Sequence, residues 1–133
     1  MDIQKYSSDF SAESLRKGYI NNILERNPYI HNFILMLLNI EKGGVIAIDG
    51  EWGSGKTYFV HQVKWLLDSA SENIDGDIKT VLNSISPKLD NIIGHKYKLF
   101  YYDAWKHDKS NNPFFTLLRS MILTFGGIDY FKK

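Results

Sequence analysis

The stretch Gly-Glu-Trp-Gly-Ser-Gly-Lys-Thr at residues 50–57 decides how the rest of the chain is interpreted. Gly50, Gly55, Lys56 and Thr57 match the pattern G-x-x-x-x-G-K-[ST], the Walker A motif. Glycines let such a loop curl, so that successive main-chain N–H groups point inward and form a concave site for anionic oxygens. A helix that follows adds its positive N-terminal end. The stretch therefore predicts a loop that binds phosphate.

The side chains of this loop predict separate roles. Lys56 would reach the outer phosphates of a nucleotide as a point charge, and the Thr57 hydroxyl would coordinate Mg²⁺. Trp52 would lie against the nucleotide or a partner, or else pack over the loop. The predicted nucleotide-binding residues are Gly50, Trp52, Gly53, Ser54, Gly55, Lys56, Thr57 and Tyr58.

The residues that flank the loop indicate the secondary structure that the motif requires. Val45–Ile48 is a short, mostly β-branched run without alternation, which is typical of a strand buried on both faces of a parallel sheet. Residues 56–68 have the apolar spacing of a helix, and Tyr97–Tyr102 is predicted to be a second buried strand. The predicted fold class is α/β, a P-loop NTPase-type three-layer fold with an incomplete parallel sheet flanked by helices.

Apolar spacing and capping residues predict further helices. Ser11 is the expected N-cap of the first helix. Asn27 is the expected cap of the second helix, with Pro28 at its first position. One or two helical turns are expected at residues 78–85, and Pro113 opens the last helix. Three glycines are expected to end helical stretches, Gly94, Gly126 and Gly127.

The composition of the 133-residue chain is that of an ordinary globular protein, with 44% hydrophobic and 23% charged residues. The formal net charge of +1 gives no overall attraction to nucleic acid, which we do not expect as a partner. The chain has no cysteine, so disulfides and thiolate chemistry are excluded. No apolar run approaches the ~20 residues that span a bilayer, and residues 1–10 lack the pattern of a signal peptide. We therefore expect a cytoplasmic protein without a transmembrane segment.

A second stretch, Tyr-Tyr-Asp-Ala-Trp-Lys-His-Asp at residues 101–108, is followed by Asn-Pro-Phe at residues 112–114. Together with the loop, these residues resemble the KAP family of P-loop NTPases. Trp52, Trp105 and Pro113 carry the likeness, because the family shows a tryptophan in the phosphate loop, an aromatic-x-Ala-Trp strand end and a proline-led helix. The resemblance implies an AAA-like ATPase with ATP and Mg²⁺ as ligands. It also implies a bacterial, phage or mobile-element setting linked to phage exclusion and defence.

The resemblance extends over roughly residues 28–124 and suggests how the chain is organised. Residues 1–27 would form an N-terminal helical segment, and residues 28–133 the N-terminal part of a KAP-type domain. Relatives carry a later strand that ends in paired acids, the Walker B strand, and then an arginine-bearing region. Nothing after Thr124 matches these parts. We therefore expect the Walker A half of the domain without its Walker B half, and a partner that is another chain or the missing C-terminal half.

The predicted function is ATP binding by the front portion of a KAP-type NTPase, and the sequence leaves open whether this chain hydrolyses the nucleotide. Asp103 ends the second predicted strand, where ligands of open α/β sheets bind, and could hold the Mg²⁺ water shell or a substrate hydroxyl. Other catalytic residues are unknown. One alternative is a small P-loop kinase that uses Asp103 as its acid or base. Another is a non-catalytic interaction module that nucleotide stabilises. No motif that reads the base distinguishes ATP from GTP.

Overall fold

A computed structural model describes residues 10–126 of the chain, apart from residues 72–73, 94, 108 and 110. The described residues form five α-helices and two 3₁₀ helices. The α-helices are α1 (Ala12–Ile20), α2 (Asn27–Leu38), α3 (Lys56–Ala70), α4 (Gly76–Ile85) and α5 (Pro113–Thr124), and the 3₁₀ helices are Pro87–Ile92 and Trp105–His107. The chain divides into a first unit, Met1–Tyr97, and a second unit, Lys98–Lys133.

The predicted α/β fold is wrong. The described part of the chain is helical and contains no strand and no sheet. Residues 45–48 have no regular secondary structure and are exposed, Val45 to 98%. The second predicted strand, residues 97–102, also lacks regular structure and falls across the boundary between the two units. A β-branched or aromatic run becomes a strand only when neighbouring strands pack against it, and no such neighbour exists among the described residues.

Helices α1 and α5 start where their capping residues predict, and α2 starts one residue earlier. Ser11 is the N-cap of α1, and its hydroxyl accepts a hydrogen bond from the Ser14 N–H at 3.2 Å. The α2 helix begins at Asn27, with Pro28 in its first turn, and its N-cap is Arg26 instead of the expected Asn27. Pro113 opens α5, and the Asn112 side chain accepts from the Phe115 N–H at 3.1 Å. These bonds satisfy N–H groups that a helix start leaves without a partner.

Two further predictions concern where α4 starts and where α5 ends. The turns expected at residues 78–85 form part of α4, which starts two residues earlier than that and is capped by the Asp75 carboxylate. The α5 helix ends at Thr124, before Gly126, whose φ is +88°. Gly94, Asp108 and Gly127, and the ranges 1–9 and 128–133, lie outside the described residues.

The core of the first unit lies between its four α-helices. Helix α1 contacts α3 and α4, and helix α2 contacts the same two helices. Gly18 on α1 lies against the Tyr58 hydroxyl of α3, where any side chain would overlap that oxygen. The buried apolar side chains are Leu15, Tyr19, Ile30, Ile34, Tyr58, Val63, Leu66, Leu67, Ala70, Ile78, Leu82, Leu89 and Ile92. Burial of this surface is what holds α3, and hence the loop that precedes it, in place.

A polar pair crosses this core. The Tyr19 hydroxyl on α1 lies 2.7 Å from Nε2 of His31 on α2, and both side chains are fully buried. Burial lowers the pKa of His31 to about 4, because it disfavours the charged imidazolium. Burial also raises the pKa of Tyr19. Both pKa shifts favour a neutral pair in the folded protein near pH 7. Among the described residues, His31 Nδ1 has no hydrogen-bond partner.

The second unit contains the Trp105–His107 turn and α5. Its aromatic rings contact one another, with Phe100 6.3 Å from Phe125 and Tyr102 stacked on His107 at 5.0 Å between ring centroids. Within the described part of this unit, α5 has no buried residue. None of the helices described in either unit combines the length and apolar character that crossing a bilayer requires.

Candidate functional site

The Gly-rich stretch forms a curled loop that leads directly into α3. Gly53 and Gly55 have φ angles of +74° and +85°, a conformation that costs little for glycine and much for other residues. Gly55 is the N-cap of α3, and the Ser54 N–H donates to the Glu51 carbonyl at 3.2 Å, which closes the turn. The loop therefore has its two strained positions where the sequence supplies glycine.

Lys56, the first residue of α3, folds back across the loop. Its ammonium group donates to the carbonyl of Gly50 and, at 2.9 Å, to the carbonyl of Glu51. Space beside Gly50 is limited, because an added Cβ would lie 3.0 Å from the Ser54 hydroxyl. The first turn of α3 contains no acidic residue. The N-terminal end of this helix thus combines a lysine cation with the positive end of the helix dipole.

Arg26 is the residue of this site that the sequence did not reveal. It immediately precedes α2, and its guanidinium donates to the Ser54 carbonyl and, at 3.3 Å, to the Gly55 carbonyl. It is part-buried and lies 29 positions from Gly55 in sequence. Because only the packing of α2 against α3 brings these groups together, no local pattern could have indicated the contact.

A pocket of about 360 Å³ opens beside the loop. Two cations, Arg26 and Lys56, and two aromatic side chains, Tyr29 and Phe59, line it together with Ile48, Asp49, Gly50 and Ser54. Asp49 adds a negative charge to this lining, and its carboxylate accepts a hydrogen bond from the Gly50 N–H at 2.8 Å. The mixture of a few polar groups with apolar walls is typical of small-molecule sites.

The other predicted binding residues occupy different environments. Thr57 is exposed in the first turn of α3, and Trp52 is 89% exposed at the tip of the loop. The Tyr58 side chain is instead buried against Gly18 of α1. Any contact between Tyr58 and a bound phosphate would therefore come from its main chain.

Asp103 belongs to the second unit, whereas the loop belongs to the first. Its carboxylate accepts a hydrogen bond from the Trp105 N–H at 3.1 Å, at the start of the short 3₁₀ helix. This contact is local to the turn. Among the described residues, no group of three or more His, Asp or Glu side chains is arranged to hold a metal ion.

The model of the KAP family P-loop domain matches residues 26–132. The chain belongs to this family. The suspected KAP resemblance is thus confirmed, and the match begins at Arg26, two residues before the expected start. As a KAP P-loop domain, the chain is a member of a nucleotide-binding NTPase family, whose members generally use a nucleotide and Mg²⁺. No curated protein and no solved structure significantly matches the chain.

Proposed function

We propose that this KAP-family chain binds ATP with Mg²⁺ through residues 50–58, in the manner of a Walker A loop. The main-chain N–H groups of the loop and of the first turn of α3 would hold the phosphate oxygens. Lys56 would leave the two loop carbonyls for the outer phosphates when the nucleotide enters. The observation that carries the proposal is the position of the Lys56 ammonium on the Gly50 and Glu51 carbonyls, at the positive end of α3.

The charges at the loop fit an anionic ligand. A lysine that bridges two neutral carbonyls is not neutralised by a carboxylate, so its charge remains available to a phosphate. The helix dipole and the unpaired N–H groups of a helix start attract anions for the same reason. The pocket of about 360 Å³ beside Lys56 supplies apolar walls for the remainder of the ligand.

Mg²⁺ enters this proposal through Thr57. Mg²⁺ commonly binds to one or two protein oxygens together with nucleotide phosphates and water, and the exposed Thr57 hydroxyl at the start of α3 could supply one such oxygen. We expect Thr57→Ala to abolish the Mg²⁺ dependence of ATP affinity and Thr57→Ser, which keeps the hydroxyl, to preserve it. Equal Mg²⁺ dependence in the two variants, measured by titration with and without the metal, would exclude this role.

Thermal melts with Mg-ATP, Mg-GTP, ADP or no ligand test nucleotide binding. Saturating ATP at a hundredfold excess over Kd should stabilise the fold by about 2.7 kcal/mol and raise the melting temperature. Lys56→Ala should lose this shift. Lys79→Ala, which removes an exposed lysine from α4, is the matched control and should retain it. A Lys56→Ala protein that melts like the wild type with and without ATP would contradict the proposal.

Whether the chain turns over its nucleotide is decided by a phosphate-release assay on the same samples. Stabilisation without release supports a nucleotide-binding front portion of the domain, and transfer to an acceptor hydroxyl supports a kinase. The hypothesis that Asp103 helps to position Mg²⁺ remains a prediction, and unchanged Mg²⁺-dependent affinity in Asp103→Ala would remove it. A defence role rests on the family resemblance alone. It requires that cells carrying the wild-type gene, but not Lys56→Ala, reduce phage plating.

A further inference from the structure

We propose that Arg26 is a positioning residue that sets the direction of the Gly55 and Lys56 N–H groups. This inference rests on the proposed function, because it concerns how the same loop comes to hold phosphate. It assigns to Arg26 a role in orienting the loop, in addition to its place in the wall of the pocket. The residue lies just before α2, and its side chain reaches the loop from that neighbouring helix.

The contact involves two successive carbonyls. Nη2 of Arg26 donates to the Ser54 carbonyl, and Nη1 donates to the Gly55 carbonyl at 3.3 Å. The Gly55 oxygen also accepts the Phe59 N–H at 2.9 Å, as the first hydrogen bond of α3. Two adjacent peptide groups are thus fixed by one planar side chain and by the start of the helix.

Because of peptide geometry, a contact that holds the two carbonyl oxygens also orients two N–H groups of the loop. The peptide group is planar and, when trans, its C=O and N–H bonds point in opposite directions. The Ser54 carbonyl shares its plane with the Gly55 N–H, and the Gly55 carbonyl shares its plane with the Lys56 N–H. When Arg26 holds both oxygens on its own side, both N–H groups point to the other side. These N–H groups stand at the N-terminal end of α3, where an anion would bind.

The close approach of the guanidinium adds a second constraint at residue 55, besides its positive φ. A Cβ at Gly55 would lie 2.8 Å from Nη1 of Arg26 and 3.4 Å from its Cζ. The equivalent position at Gly53 meets nothing within 4 Å, although its φ is also positive. Backbone conformation alone therefore requires glycine at Gly53, whereas Gly55 must also leave room for Arg26.

Arginine is suited to this role and lysine is not. Its rigid, planar fork of N–H donors spans two acceptors at once, while an ammonium group is a compact point charge. Arg26 is part-buried at this contact, and its two hydrogen bonds orient the guanidinium. We therefore expect the geometry of two donors, and not the positive charge by itself, to matter for nucleotide affinity.

The first experiment observes the N–H groups without any ligand. In the ¹⁵N-labelled 133-residue chain, Arg26→Ala should shift or broaden the amide signals of Gly55 and Lys56, while those of α4 stay unchanged. Arg119→Ala, which removes an exposed arginine from α5 in the second unit, should leave all of these signals in place. Unchanged Gly55 and Lys56 signals in Arg26→Ala would overturn the inference.

The second experiment measures Mg-ATP affinity. Arg26→Ala should weaken binding by at least about tenfold, and guanidinium ion at tens of millimolar should recover part of the loss where NaCl at equal ionic strength does not. Arg26→Lys should stay weaker than the wild type. Full affinity in Arg26→Lys, or a loss under twofold in Arg26→Ala, would overturn the inference. If the wild type itself binds no ATP, the proposed function fails and the amide experiment alone decides the role of Arg26.

Discussion

At the scale of single residues, the two positive-φ glycines of the loop provide a matched pair. Alanine at Gly53 or Gly55 would cost about 1–2 kcal/mol of backbone strain. Only at Gly55 would the new methyl group also displace Arg26 from the two carbonyls. We expect Gly55→Ala to weaken Mg-ATP binding about tenfold more than Gly53→Ala does. Titration calorimetry on both variants measures this difference, and equal losses would contradict it.

A second prediction at this scale concerns Gly18, where α1 packs against α3. A side chain there would overlap the Tyr58 hydroxyl in the core, so Gly18→Ala should destabilise the protein by about 1–3 kcal/mol. Gly76 at the start of α4 meets nothing within 4 Å. Gly76→Ala should therefore be neutral or stabilise by up to about 1 kcal/mol. Chemical denaturation of both variants tests this, and a Gly18→Ala protein as stable as the wild type would refute the tight contact.

Sequence reasoning named the loop residues because phosphate-loop chemistry depends on residue types at fixed spacing. Glycine at positions 53 and 55 coincides with positive φ, and Lys56 reaches over the loop. The contact between Arg26 and the loop could not be predicted from the sequence, because it depends on how α2 packs against α3 and joins residues 29 positions apart. A lone arginine before a helix can have many structural roles, and the local sequence around Arg26 does not indicate its contact with the loop.

At the scale of secondary structure, the helix starts were predictable and the strands were not. A helix start is decided within a few residues, as when the Ser11 hydroxyl accepts the Ser14 N–H or the Asn112 side chain accepts the Phe115 N–H. A strand is decided by distant partners, and the apolar run at residues 45–48 has none among the described residues. Its exposure shows that β-branched composition alone does not create a sheet.

The contact between α1 and α2 predicts a dependence of stability on pH. His31 has a pKa of about 4 in the folded protein and about 6.5 in an unfolded chain. Between these values the unfolded chain binds a proton that the folded protein does not, so acidification favours unfolding. The stability that neutral His31 contributes is fully present above pH ~6.5 and declines as the pH falls toward ~4.

The measurement for His31 is the unfolding free energy from pH 7.5 to pH 4.5. His31→Gln retains a polar partner for Tyr19 but removes the titrating group, so its stability should fall less over this range than that of the wild type. His95→Gln, at an exposed position, serves as the control and should follow the wild type. Parallel pH curves for His31→Gln and the wild type would show that burial of this imidazole has no such effect.

At the scale of the whole molecule, the loop and its supporting core belong to the same unit. Residues 26–70 supply Arg26, the loop and α3. Helices α1 and α2 pack against α3, and α4 packs against α1 and α2. The second unit carries the Asp-Ala-Trp stretch that first indicated the family. Membership of the KAP family could therefore be predicted from two short motifs, whereas the helical architecture of the described residues depended on tertiary contacts that no motif encodes.

Isothermal titration of the full chain with Mg-ATP most directly tests whether the loop binds phosphate. We expect one nucleotide to bind per chain with measurable heat, and Lys56→Ala to abolish that heat while Lys79→Ala leaves it unchanged. Inorganic triphosphate, which presents the phosphate chain alone, should compete with ATP for the same site. Absence of heat from the folded wild-type protein at millimolar Mg-ATP, or equal binding by Lys56→Ala, would contradict the assignment of residues 50–57 as a phosphate-binding loop.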